Sequence, residues 1–223
     1  DGWETWMVGA GGLAGVWRTG RFEAAPPVTD ADLADVSVHD AYGGVAVGVG
    51  GVVITSEDGN AWALDADAAA LVEAEGGGDL RAVEVLEDGT VWVAGEAGLL
   101  LHRGADGWER VDLGTDADLR DLAFASRDRG LVADADGVLW WTRDRGETWE
   151  AAAAPGDVRA VAYDGGERGP TAWAVGGGGE VWSTEDGELW RLEARTSDGT
   201  PLTTIATHGD YVVAAGESGA VIA

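Results

Sequence analysis

Three arginines recur at one register. Arg81, Arg120 and Arg159 each follow the first residue of a short apolar segment (LRAVEV, LRDLAF and VRAVAY) and stand 39 residues apart. A guanidinium offers paired hydrogen bonds to a carboxylate or phosphate. The chain has only 14 basic residues against 41 acidic ones, so three converging arginines would focus the local field on an anion. Ala34 and Thr203 hold the same register in two other segments, so the arginines cover part of the series. A structural reading stands beside the binding one. Arg120 adjoins Asp121, Asp35 holds the matching place in another segment, and such residues can pair across segments as ordinary salt bridges.

The other chemistry-bearing residues are scattered. His39, His102 and His208 are isolated, and no Ser–His–Asp or metal-histidine spacing occurs. Cysteine is absent, which removes thiol catalysis, disulfides and zinc-thiolate sites together. TDADLAD (29–35), TDADLRD (115–121) and ADADG (133–137) cluster carboxylates. None completes a calcium loop with its distal Glu, and solvated loops holding hydrated salt cations are the plainer reading. No metal and no cofactor is expected. Trp140 and Trp141 are consecutive and point to opposite sides of their strand. One of them is a possible stacking platform for a sugar.

The elements that must position these residues repeat. Apolar segments begin at Leu33, Leu80, Leu119, Val158 and Leu202, at spacings of 47, 39, 39 and 44 residues. Each is followed by a turn, a second apolar stretch ending in Gly-rich residues, a third such as GVLWW, and a fourth beginning at Trp62, Trp108, Trp149 or Trp190. Alternation marks the segments as strands with one buried face. Four-stranded units at about 40–45 residues predict an all-β fold, a β-propeller in a single domain over 1–223. Residues 66–75 read as a short helical turn. The ends admit two alignments. Residues 1–25 match second, third and fourth strands, giving six short blades with the terminal two incomplete. Alternatively, Asp1–Trp6 supplies the outer strand of the last unit, giving five blades with residues 9–27 as an insertion. The first fits Gly9–Gly12 better, since it mimics Gly48–Gly51.

One phrase joins third to fourth strands. Thr142, Asp144, Gly146 and Trp149 spell T-x-D-x-G-x-x-W; Thr55, Glu57, Gly59 and Trp62, and Ser183, Glu185, Gly187 and Trp190, match it with Glu for Asp. The carboxylate can accept turn N–H groups, Gly can take positive φ, and Trp can wedge between sheets. This phrase resembles the Asp-box of BNR, sialidase-type repeat propellers. With the L-R-(D/A) and V-G-x-G-G framing, the chain looks most like the Ycf48-like, photosynthesis-system assembly branch of that family. The resemblance implies a propeller, and an arginine patch that engages a client protein. Sialidases of the wider family use several arginines, a Tyr–Glu pair and an acid Asp. Here Tyr42, Tyr163 and Tyr211 are the only tyrosines. With so many carboxylates, a chance pairing is expected, so catalysis is not read from it.

Charge bounds the partners. The net charge is −27 and every basic residue is Arg. Such a surface argues against nucleic acid, which requires a basic footprint. It resembles proteins of salt-loving archaea: at molar salt the Debye length shrinks to about 3 Å and crowded carboxylates stop repelling. No apolar run approaches the ~18 residues of a membrane span, and no signal-peptide pattern opens the chain. The expectation is a soluble protein, cytoplasmic or secreted with a leader removed. Its expected function is a non-enzymatic scaffold that binds a protein or peptide at the channel face through Arg81, Arg120 and Arg159. A glycan-binding propeller and a glycoside hydrolase are the alternatives.

Overall fold

The computed structural model describes residues 4–164, 171–209 and 211–223. The chain is all-β, a six-bladed β-propeller with one antiparallel sheet per repeat. Two compact units, Asp1–Asp116 and Ala117–Ala223, hold three sheets each.

In the first unit, blade 1 is β1 (Thr5–Gly9), β2 (Leu13–Arg18) and β3 (Arg21–Ala24). Blade 2 is β4 (Leu33–His39), β5 (Gly43–Gly48), β6 (Val53–Ser56) and the short β7 (Ala63–Leu64). Helix α1 (Ala66–Ala74) follows, and blade 3 is β8 (Leu80–Val85), β9 (Val91–Gly95), β10 (Leu100–Gly104) and β11 (Gly107–Val111). In the second unit, blade 4 is β12 (Leu119–Ser126), β13 (Arg129–Asp134), β14 (Val138–Thr142) and β15 (Glu150–Ala153). Blade 5 is β16 (Val158–Asp164), β17 (Thr171–Gly176), β18 (Glu180–Thr184) and β19 (Arg191–Arg195). Blade 6 is β20 (Leu202–His208), β21 (Tyr211–Gly216) and β22 (Val221–Ile222). Every sheet is a meander in chain order.

The five-blade alignment does not hold. Strand β1 pairs with β2 from Thr5↔Trp17 to Gly9↔Leu13, so Trp6 belongs to the first sheet and residues 9–27 are no insertion. Asp1–Trp3, the start of that alignment, lie outside the described residues.

Apolar alternation builds the core between neighbouring blades. Val45, Val47 and Val53 of blade 2 meet Leu80, Val83, Val85, Val91 and Val93 of blade 3. Burial of each such side chain contributes about 1.5–3 kcal/mol relative to exposure. The predicted helical turn is α1. Asp65 caps it by accepting the Ala68 N–H at 3.0 Å, and Ala68 and Val72 enter the same cluster. In the second unit, Ala123, Leu131, Leu139 and Trp141 of blade 4 pack on Val158, Val161, Ala172 and Ala174 of blade 5.

Candidate partner-binding surface

The arginine register coincides with a backbone irregularity. In every described first strand the ladder slips by one residue directly after its opening residue. The slips fall between Leu33 and Asp35, Leu80 and Ala82, Leu119 and Asp121, Val158 and Ala160, and Leu202 and Thr204. The skipped residues are Ala34, Arg81, Arg120, Arg159 and Thr203. A bulge leaves its extra residue unpaired and re-aims the side chain. It also breaks the in-out period. In β8, Leu80 is buried, Arg81 is exposed, and Ala82 and Val83 are buried in succession. The bulge is therefore what delivers a long polar side chain at the start of a strand whose remainder is core.

Each arginine has an acidic partner. In the first unit, Arg81 Nη2 donates to Glu96 Oε1 at 2.8 Å, while Glu96 Oε2 accepts the Asp79 N–H at 3.1 Å. In the second unit, Arg120 Nη1 donates to Asp157 Oδ1 at 2.5 Å and to the Val158 carbonyl at 2.7 Å. Arg159 Nε lies 3.5 Å from Asp157 Oδ2, and its Nη1 donates to Glu217 Oε1 at 3.2 Å. Asp157 thus joins Arg120 of blade 4 to Arg159 of blade 5, and Glu217 extends the chain to blade 6. The Arg120 hydrogen bond, opposed by burial and aided by the charges of Arg120 and Arg159, holds the Asp157 carboxyl below its usual range. The three side chains keep 28–38% of their surface exposed. Sequence reasoning missed the partners. Glu96 and Glu217 occupy the same place in G-E-A-G and G-E-S-G, directly after the second strand.

The backbone around these residues is a repeated clasp. The residue before each first strand offers its carbonyl to the N–H that follows the second strand. These bonds are Val49→Asp32, Glu96→Asp79, Ala135→Asp118, Gly177→Asp157 and Glu217→Pro201, at 2.8–3.0 Å.

Asp35 and Asp121 accept backbone N–H groups of the next blade. Asp35 Oδ1 accepts the Val36 N–H and Oδ2 the Val83 N–H of the next blade, both at 2.8 Å. Asp121 does the same with Leu122 at 2.9 Å and Val161 at 2.8 Å. Burial pushes the Asp35 carboxyl up, against the pull of these two bonds. The cross-blade link expected of these carboxylates is therefore made to backbone, and the salt bridges run through Glu96, Asp157 and Glu217.

The turns after the third strands carry their own network. Asp144 Oδ1 accepts from Thr142 Oγ1 and from the Thr148 N–H, both at 2.9 Å, and Thr142 Oγ1 accepts the Gly146 N–H at 2.8 Å. Trp149 donates its indole N–H to the Gly146 carbonyl at 3.2 Å. In blades 2 and 5 the register is one residue later than the sequence expectation. Asp58 accepts from Ser56 Oγ and the Asn60 and Ala61 N–H groups, rather than Glu57 beside Thr55. Asp186 accepts from Thr184 Oγ1 and the Glu188 and Leu189 N–H groups, rather than Glu185 beside Ser183. A shorter turn still needs its carboxylate two residues past the hydroxyl, so the hydroxyl moves with it. Gly59 and Gly187 sit at φ 72° and 82°, and Trp62 and Trp190 pack edge-on or tilted against Trp6 and Trp141 at 6.2 and 6.1 Å.

The remaining candidates separate. His102 stacks on Trp92 at 4.4 Å and contacts Glu109, His39 stacks on Tyr42, and Trp140 donates to Asp134 at 2.9 Å. Among the described residues, no group of three or more His, Cys, Asp or Glu is arranged to hold a metal ion. None of their helices is long and apolar enough to cross a membrane.

No family model matches the chain. The photosystem II assembly lipoprotein Ycf48 of Synechococcus sp. (strain CC9902) is 30% identical over 182 residues, 76% of this chain and 51% of that protein. The chain therefore spans about half the length of the curated relative it matches. Among solved structures, Ycf48 bound to D1 peptide aligns with a TM-score of 0.72 at 17% identity, covering 99% of this chain and 74% of that one. Ycf48 from Cyanidioschyzon merolae aligns at 0.73 and 17%, covering 98% and 78%. A catalytically inactive virginiamycin B lyase from Staphylococcus aureus, with quinupristin, aligns at 0.77 but 11% identity, covering 95% and 73%. At these identities the solved structures share the fold with this chain, and one fold hosts a peptide binder and a lyase alike.

Proposed function

We propose that this chain is a non-enzymatic, Ycf48-like scaffold that binds a protein or peptide segment on its channel face, where the first strands begin. The observation that carries the reading is the arginine at the bulge, repeated in Arg81, Arg120 and Arg159 and each time latched to a carboxylate. The sequence similarity to Ycf48, whose solved structure holds a D1 peptide, supports it. Part-exposed ion pairs contribute about 0–1 kcal/mol each, so an incoming carboxylate can replace Glu96, Asp157 or Glu217 at little cost. The displaced acids then become acceptors for the partner's cations or N–H groups. Arg120 and Arg159 form one such point in the second unit, and Arg81 another in the first. The site so described contains ligands for a peptide and no activated nucleophile.

The test uses the D1 peptide as a labelled probe in fluorescence anisotropy at molar KCl. Changing Arg81, Arg120 and Arg159 together to Gln should weaken binding at least about tenfold, one lost charge-assisted contact being worth that much. The melting temperature should stay close to the parent's. Unchanged affinity, or lost affinity only because the variant unfolds, overturns the role of the arginines.

A further inference from the structure

Blade 4 places two arginines where physics disfavours them. Strands β13 and β14 pair Leu131 with Trp141 and Gly130 with Thr142. One further step of that ladder sets Arg129 opposite Arg143, on the face that carries Leu131 and Trp141. Like charges directly opposite on a sheet repel. The chain has 41 carboxylate side chains to relieve this, yet among the described residues neither arginine has one within 4.0 Å. The neighbours behave otherwise: Arg127 and Arg145 both reach Asp128. Arg143 is fixed instead by donating Nη2 to the Asp186 carbonyl of blade 5 at 3.0 Å.

Those two arginines border a crevice whose other walls are Trp141, Tyr163, Ala172, Gly187 and the segment Thr184, Glu185 and Asp186. Its interior admits about one water-sized sphere. Two buried donors belong to residues of the same walls and have no hydrogen-bond partner among the described residues: the Trp141 indole N–H and the Tyr163 hydroxyl. The two rings meet edge-on at 6.4 Å. A buried donor without an acceptor costs about 1–3 kcal/mol. Burial pushes the Tyr163 phenol up, with Arg129 and Arg143 opposing, so the hydroxyl keeps its proton and remains a donor. Indole N–H cannot accept at all.

We infer that this crevice between blades 4 and 5 is a binding site for one monatomic anion, chloride in a saline cell, held by Arg129, Arg143, the Tyr163 hydroxyl and the Trp141 indole. The two guanidinium groups and the two unsatisfied donors are groups that an anion satisfies and a cation cannot. A space of about one water-sized sphere excludes a phosphate or a peptide carboxylate. Asp186 lines the rim, but its carboxylate is occupied by Thr184 and two backbone N–H groups. Glu185 is exposed at the rim, and its charge, with that of Asp186, opposes the ion. The site is separate from the bulge arginines, and its failure would leave the peptide-binding reading untouched.

The experiment is thermal unfolding at fixed high ionic strength, with chloride exchanged stepwise for gluconate, an anion too large to enter. Chloride should raise the melting temperature saturably, by about 5 °C when the site is filled. The R129Q/R143Q double variant should lose that increment, Y163F should lose part of it, and E185Q should reach saturation at lower chloride. R127Q/R145Q should keep it in full. Bromide-soaked crystals should show an anomalous peak between Trp141 Nε1 and Tyr163 Oη. A chloride response absent in the parent, or equal in R129Q/R143Q and R127Q/R145Q, overturns the site, as does an empty crevice in bromide.

Discussion

Asp35 accepts two N–H bonds and Asp144 one N–H and two O–H bonds, and their surroundings drive them apart. Asp144 lies in an exposed turn, where Thr148 and Thr142 hold its carboxyl below the ordinary value of 3.8. Its contribution to stability is complete above that value and is lost as pH falls through the lower folded one. Asp35 is shielded, and burial raises it above 3.8. The folded state then binds the proton more tightly, so its contribution falls as pH rises from 3.8 to the folded value. Melting temperatures from pH 6 to 2 at constant ionic strength should separate the two. The deficit of D144N relative to the parent should shrink on acidification, while that of D35N should grow. If both move the same way, these environments are misread. The identity of the residues at these positions was legible in the sequence; which atoms they serve was not. Asp35 and Asp121 share a register, but that they reach backbone in the next blade depends on a side chain crossing between sheets.

The first strand owes its usefulness to its bulge. Strict alternation would have sent Arg81, Arg120 and Arg159 to a face fixed by Leu80, Leu119 and Val158. Instead the ladder skips them, and the buried set resumes one residue out of phase. A spacing of 39 residues announces that three arginines are equivalent, but not that a slip presents them. The Gly-rich turn closing the second strand is equally geometric. Gly98 has φ of 69°, and an added Cβ would stand 1.9 Å from the Thr115 carbonyl oxygen. Strain and overlap together should make G98A less stable by about 1–3 kcal/mol in denaturant unfolding, an overpacking cost with little room to relax. An unchanged midpoint would show that Thr115 moves freely. At G107A no such overlap exists, since nothing lies within 4 Å of that Cβ, so only the φ penalty should appear. The turn phrase taught the opposite lesson. Its chemistry was readable, yet Thr55 and Ser183 were matched one residue early. Loop length, which decides where the hydroxyl falls, is invisible in a motif that tolerates Glu for Asp.

At the scale of the molecule, charge dominates. A net charge of −27 on 223 residues makes the compact state repel itself in dilute buffer. Many of the arginines are spent on nearby carboxylates, so few remain to offset the excess. We expect the melting temperature to rise by ten degrees or more, on the order of several kcal/mol, between dilute buffer and molar potassium gluconate, where screening acts without chloride. A flat response would remove salt adaptation from the account of this surface. Performing that series in gluconate keeps general screening apart from the proposed anion site.

The repeat, the strand class and the count of first strands followed from the sequence alone, because hydrophobic period and turn residues are local signals. The equivalence of Arg81, Arg120 and Arg159 followed from the same repetition. Tertiary structure decided the rest. It assigned Trp6 to a first sheet of its own and so gave six blades, since strand pairing and not motif likeness fixes where a sheet ends. It supplied Glu96, Asp157 and Glu217, none of them adjacent in sequence, as partners for the arginines. It also set Arg129 against Arg143 beside two unpaired donors, a juxtaposition that exists only when a hairpin's register and a neighbouring blade are both in place.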